Sequence, residues 1–227
     1  FDGDETAECV LDGPILEELR EETLSRGLGL RLMTIGNTGG WRDFATVARP
    51  VTSPADLKGL KIRTTPAQLE QEMVRALGAN PTPIAFSELY LALATGVVEG
   101  TKNSIQDIVG MRLEEHVKYV TLDNHAYMGA MWWYSDARWR ELPDDLRPIV
   151  EEGFAELQRV TRTLPKERRE SALERFRAKG GAVHEPTADE RAAFRAASAP
   201  MRDWYVEKYG DRWLKRLDAA VAACGRR

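Results

Sequence analysis

Arg63, Phe86 and Asn103 stand at or just past the ends of short strand-like pieces in the stretch from Leu57 to Ser104, and their types suit the capture of a small anion. A guanidinium offers a planar fork that takes a carboxylate through two parallel N–H bonds, a geometry lysine lacks. An aromatic ring supplies an apolar wall, and an amide both donates and accepts. Arg63 ends the piece Leu60 to Arg63, which opens after Gly59 and closes at Thr64-Thr65-Pro66. Thr65 is the expected N-cap of the next helix and Pro66 suits its first position. That places Arg63 beside a helix N-terminus, where unpaired N–H groups and the dipole favour negative charge. Phe86 follows Thr82 to Ala85, and Asn103 follows Val97-Val98 between Gly96 and Gly100. Repeated βα alternation implies parallel strands, so all three side chains are expected on one edge of one sheet. Taken singly, Arg63 reads as a salt-bridging residue, Phe86 as core and Asn103 as a cap for a helix from residue 105.

Covalent catalysis finds no comparable footing. The chain has no GxSxG elbow, HExxH, CxxC, Walker loop or GxGxxG. His116, His125 and His184 are dispersed, and Glu21-Glu22, Glu114-Glu115 and Glu151-Glu152 fall on charged helical faces. Neither a cofactor nor a metal is expected. Cys9 and Cys224 lack zinc-site spacing, and a disulfide joining them is one option.

The positioning elements read as α/β. Residues 14–26 form an amphipathic helix with Pro14 at its start and Gly27 past its end. Leu28 to Ile35 alternates as a strand and is expected to stop at the turn-rich Gly36-Asn37-Thr38-Gly39-Gly40, with an extended segment from Trp41 to Val47. Ser53-Pro54-Ala55-Asp56 opens a very short helix that ends at Gly59. Leu69, Met73, Val74 and Leu77 give one helix an apolar face, and Leu89, Ala92 and Leu93 another. A helix is expected over 105–115, a strand from Val117 to Leu122, a break at Asp123-Asn124-His125 and a strand from Ala126 to Ser135. Pro143 to Lys179 is helix-forming, and Pro165 is expected to kink or divide it. A short strand over Ala182 to His184 precedes helix from Thr187 to Ala223, broken near Gly210.

With 227 residues, 43% hydrophobic and 30% charged, the chain can bury a core, and no run is apolar enough to insert stably in a membrane. A net charge of -4 argues against nucleic acid as a partner. Phe1-Asp2-Gly3-Asp4 carries no secretory signal.

The elements KGLKIR, ALGANPTP, FSELY, LATGVVEG, VTLDNHAY and LPDDLR resemble the DctP-type substrate-binding proteins of tripartite ATP-independent periplasmic (TRAP) transporters, over about Trp41 to Val150. The resemblance implies a two-lobed α/β periplasmic-binding-protein clamshell with long C-terminal helices. It implies a periplasmic, non-enzymatic protein that captures a small organic acid and delivers it to TRAP membrane permease subunits. It assigns ligand contacts to Arg63, Phe86 and Asn103, places His125 of Asp123-Asn124-His125 near the ligand, and offers Arg42 as a second arginine. Gln-Glu-Asn-Pro, common in the family, stands here as Thr101-Lys102-Asn103-Ser104, a basic residue for an acidic one. The family also leads one to expect βα units ahead of Phe1, so the N-terminal part of the first lobe is expected to be absent. On that basis 1–40 is the remainder of the first lobe, 41–126 the second lobe, 127–165 the return strand and spanning helix, and 166–227 the C-terminal helices. Two rivals remain: a lyase or isomerase with His125 as base, and a sensor module of the same fold without a permease.

Overall fold

The computed structural model describes residues 1–225. In chain order the first elements are α1 (Asp4–Leu11), α2 (Pro14–Ser25), β1 (Leu30–Thr46), α3 (Pro54–Leu57), β2 (Lys61–Thr64), α4 (Gln68–Ala76) and β3 (Asn80–Pro83). Then come α5 (Leu89–Ala94), β4 (Gly100–Asn103), α6 (Ile105–Gly110), β5 (Tyr119–Ser135), α7 (Asp136–Glu141) and α8 (Arg147–Ala178). The chain closes with β6 (Ala182–His184), α9 (Ala188–Ser198), α10 (Pro200–Tyr209) and α11 (Arg212–Cys224). It divides into one unit of residues 1–40, 127–167 and 211 onward, and a second of Trp41–Ala126 and Arg168–Gly210.

The strands are ordered β3-β2-β4-β1-β5-β6, and the second unit holds β2, β3, β4, β6, β1 from Trp41 and β5 to Ala126. β2 runs parallel to β3 and to β4, as the βα alternation requires, whereas β4 lies antiparallel to β1, with Asp43 opposite Asn103 and Phe44 opposite Lys102. A Cβ at Gly100 would stand 2.7 Å from the Ala45 carbonyl oxygen, so the β1–β4 approach at this point requires glycine. Alternation along the strands sends side chains to two cores. Ala45 joins Leu89, Leu93, Val98, Ile105 and Ile108 on one face. Phe44 and Ile62 join Leu57, Val74, Leu77 and Phe194 on the other. Ahead of β2, Ser53 and Asp56 form the capping box of α3, and Gly59 at φ 77° turns the chain into the strand.

In the first unit, Leu16, Leu32 and Ile35 pack together with Leu11 and Leu19. Arg162 ties α8 to α1's C-terminal side and to β1: Nη1 pairs with Asp12 at 2.5 Å and Nη2 donates to the Ile35 carbonyl at 2.7 Å. Cys9 and Cys224 form a disulfide between α1 and α11.

Several boundaries differ from the sequence expectation, for local reasons. β1 does not stop at Gly36: Asn37 Oδ1 accepts from the Gly39 and Gly40 amides at 3.0 and 2.6 Å, so the turn-forming side chain satisfies backbone inside a strand. β5 continues through Asp123-Asn124-His125 because the carboxylates of Asp43 and Asp123 accept from the amides of Asn124 and Phe44, each at 3.1 Å, with Asn124 at φ 50°. Pro165 does not divide α8, which is held on one side of it by Arg162 and on the other by buried Leu173 and Phe176. α4 starts at Gln68, with Ala67 at the N-cap, and Thr65 Oγ1 accepts from the Ala67 amide instead. The strands expected at Thr82 to Ala85 and Val97-Val98 fall at β3 and β4, and Leu69 is exposed.

Candidate anion-binding site

Arg63 ends up buried at the carboxyl side of β2, 3% exposed. Its Nε donates to the Ile84 carbonyl at 2.9 Å, which fixes the plane of the guanidinium. Phe86, in the turn after β3, sets its ring 5.6 Å from the guanidinium carbon and remains 36% exposed. A cation over a ring face gains about 0.5–2 kcal/mol and is held in orientation by it. Burial draws the Arg63 pKa down, Glu70 opposes that, Arg42 adds to it and Asp107 opposes it. Among the described residues no carboxylate forms an ion pair with Arg63.

Glu70, on the first turn of α4, gathers the neighbouring cations. Its Oε2 meets Lys102 Nζ at 2.8 Å and accepts from the Thr65 amide at 3.0 Å, while Oε1 lies 3.5 Å from Arg42 Nη1. Arg42 Nη1 also donates to the Lys102 carbonyl at 3.3 Å. Burial works to raise the Glu70 pKa, but Lys102, the Thr65 amide and Arg42 bring it down to about 2. Lys102 is 1% exposed, and there burial outweighs the attraction of Glu70, pushing its pKa down to about 8. Both shifts describe one ion pair, with the desolvation cost falling on the more deeply buried partner.

Asn103, 3% exposed at the end of β4, accepts from Thr101 Oγ1 at 2.7 Å and donates to Asp107 at 3.2 Å. It does not cap α6; Ser104 does, accepting from the Asp107 amide at 3.1 Å. Directly opposite Asn103, on β1, lies fully buried Asp43. Burial and then the nearby Asp123 charge raise its pKa to about 8, against Arg169, the Asn124 amide and Arg191. His125 Nδ1 lies 2.8 Å from Asp123 Oδ2, and its ring centroid is 4.6 Å from that of Phe44, the planes tilted by 33°.

The fold therefore brings Arg63 against Phe86, and links Arg63, Arg42 and Lys102 through Glu70. Asn103 shares Asp107 with the electrostatic surroundings of Arg63. His125 belongs to the Asp43–Asp123 cluster through Nδ1, and its Nε2 is buried with no hydrogen-bond partner among the described residues. Sequence reasoning missed Glu70: a glutamate on a helix's first turn is common, and only folding sets it opposite Lys102. It also missed Asp43, whose pairing with Asn124 depends on the β1–β5 register. Among the described residues no group of three potential ligands is placed to hold a metal.

The family model described as "Bacterial extracellular solute-binding protein, family 7" (DctP) matches residues 1–208. The chain belongs to the DctP family. The C4-dicarboxylate-binding periplasmic protein DctP of Rhodobacter capsulatus is 36% identical over 174 residues, which is 76% of this chain and 52% of that protein. A TRAP periplasmic solute-binding protein from Anaerococcus prevotii, solved with bound D-glucuronate, superposes with a TM-score of 0.89 at 29% identity, covering 100% of this chain and 71% of that one. The sugar acid binding protein of Advenella mimigardefordensis, solved with galactonate, gives 0.89 at 26% identity, covering 100% and 71%. The mixed α/β sheet with its helices matches the two-lobed fold of these DctP relatives. Among the described residues no helix is long and apolar enough to cross a membrane.

Proposed function

We propose that this DctP-family chain is an extracytoplasmic solute-binding protein, or part of one, that captures a small organic acid for TRAP membrane permease subunits without changing it chemically. The observation that carries the reading is Arg63: a buried, oriented guanidinium with a ring beside it and no carboxylate partner among the described residues. A cation kept this way costs folding free energy unless an anion completes it. A ligand carboxylate supplies the missing acceptors in a bidentate pair. Phe86 forms the wall, and Asn103, which donates to Asp107, and Arg42, whose charge acts on Arg63, are assigned to the rest of the acid. The second unit is then the lobe that grips the carboxylate. The acids bound by the relatives, C4-dicarboxylates, glucuronate and galactonate, belong to the class such a site accepts. The lyase or isomerase alternative, with His125 as base, is not favoured, because the matching family model and the relatives are solute-binding proteins.

Calorimetric titration of the chain with succinate, D-glucuronate and D-galactonate tests the reading. At least one acid is expected to bind and to be recovered unaltered by NMR. Arg63→Ala is expected to abolish that binding while the circular dichroism spectrum is retained. Binding of the acid with wild-type affinity by Arg63→Ala would refute the assignment.

A further inference from the structure

We propose that Lys102 is a positioning residue for acid binding: by holding Glu70, it keeps that carboxylate from closing on Arg63 and limits its pairing with Arg42 to one oxygen. The inference rests on the acid-binding reading and concerns how the charge of that site is kept available. Lys102 is buried on β4, on the strand face it shares with Phe44, and has no route to solvent comparable to that of a surface lysine. Its ammonium makes the shorter contact to Glu70, 2.8 Å, and the same oxygen is occupied further by the Thr65 amide at 3.0 Å. Arg42 is left with the other oxygen at 3.5 Å, and Arg63 with no ion pair among the described residues.

The charge count explains why this arrangement matters. Arg42, Arg63 and Lys102 face Glu70 and Asp107 within one electrostatic neighbourhood, leaving a single net positive charge. With Lys102 neutral, the count falls to zero, and Glu70 loses the partner that fixes its Oε2. Its carboxylate then competes with an incoming acid for the two guanidinium groups. In a partly buried site a group of this kind acts through the charges around it as strongly as through direct contact.

The test is a double-mutant cycle read by calorimetric titration of the chain with succinate, D-glucuronate and D-galactonate. Lys102→Met is expected to weaken acid binding by about tenfold or more, and Glu70→Gln/Lys102→Met to return it to within about threefold of wild type. Lys102→Arg should retain binding, and Glu70→Gln alone should not weaken it. A merely structural role predicts no rescue by removal of Glu70. Wild-type affinity in Lys102→Met, or a double variant that folds cooperatively but binds as weakly as Lys102→Met, overturns the inference. Should Lys102→Met fail to fold, the comparison becomes Glu70→Gln against the double variant. These are expected to agree within about threefold, and a larger gap is equally fatal. Acid binding without coupling between residues 70 and 102 removes this inference alone. Failure of the wild type to bind any of the three acids removes the acid-binding reading, and this inference with it.

Discussion

Replacing Asp43 by Asn should change how stability depends on pH, and the size of the change can be worked out from its surroundings. Asp43 is fully buried, and its pKa rises from an ordinary 3.8 to about 8 because burial and Asp123 both disfavour its charge. Between those values the folded chain holds a proton that the unfolded chain has released. Stability therefore falls as pH rises through this window, by about 1.4 kcal/mol per pH unit from this group. By pH 7 the accumulated cost is roughly 4 kcal/mol, and above about pH 8 it stops growing because both states are then ionised. Asparagine retains the acceptor for the Asn124 amide, at 3.1 Å in the wild type, and cannot ionise. Urea unfolding of both proteins from about pH 4.5 to about pH 9 isolates the effect, since the other titrating groups largely cancel in the difference. The variant should gain on the wild type steadily up to about pH 8 and then run parallel to it. A flat difference, or a wild type that gains with rising pH, would show that Asp43 is ionised in the fold and refute the burial argument.

Two further outcomes follow from the remaining buried groups and the cross-link. Arg63→Met should raise the free energy of unfolding in the absence of acid by about 1–3 kcal/mol, since an apolar side chain of similar length replaces a buried cation with one fixed bond; a destabilised but folded variant would mean that Arg63 is a structural ion. Reduction of the Cys9–Cys224 disulfide, which spans 215 residues, should lower stability by roughly 2–5 kcal/mol; a urea midpoint unchanged by dithiothreitol would contradict this.

What could be read from the chain without coordinates was the local part. The βα alternation from Leu57 to Ser104 announces itself through Gly59, Pro66 and the apolar helix faces, and it leads to three parallel strands with Arg63 and Asn103 at their carboxyl ends. What escaped depends on register. Asn37 and Asn124 are turn-formers by type, yet both sit within long strands, because an amide side chain or a cross-strand carboxylate satisfies the backbone there. No local pattern distinguishes these from true turns. The disulfide joins residues at opposite ends of the sequence, so spacing could not choose between paired and free cysteines. Glu70 and Lys102 look like ordinary charged residues until the fold sets the first turn of α4 against the Lys102 ammonium.

An acidic chain holding an anion site poses an electrostatic problem, because carboxylates on adjoining elements tend to neutralise the arginine meant for the ligand. Here Glu70, which acts on Arg63, and Asp43, which lies opposite Asn103, are handled by opposite means. Glu70 stays ionised, but Lys102 and the Thr65 amide occupy its nearer oxygen. Asp43 is kept largely protonated at neutral pH by its burial and by Asp123, so at that position of the sheet face a carboxyl group carries little charge. One carboxylate is paired and the other is discharged, and the guanidinium of Arg63 retains its charge in a setting where water screens it little. The net charge of -4 is accordingly no guide to what this site prefers, which is decided by the few groups that share its low-dielectric surroundings.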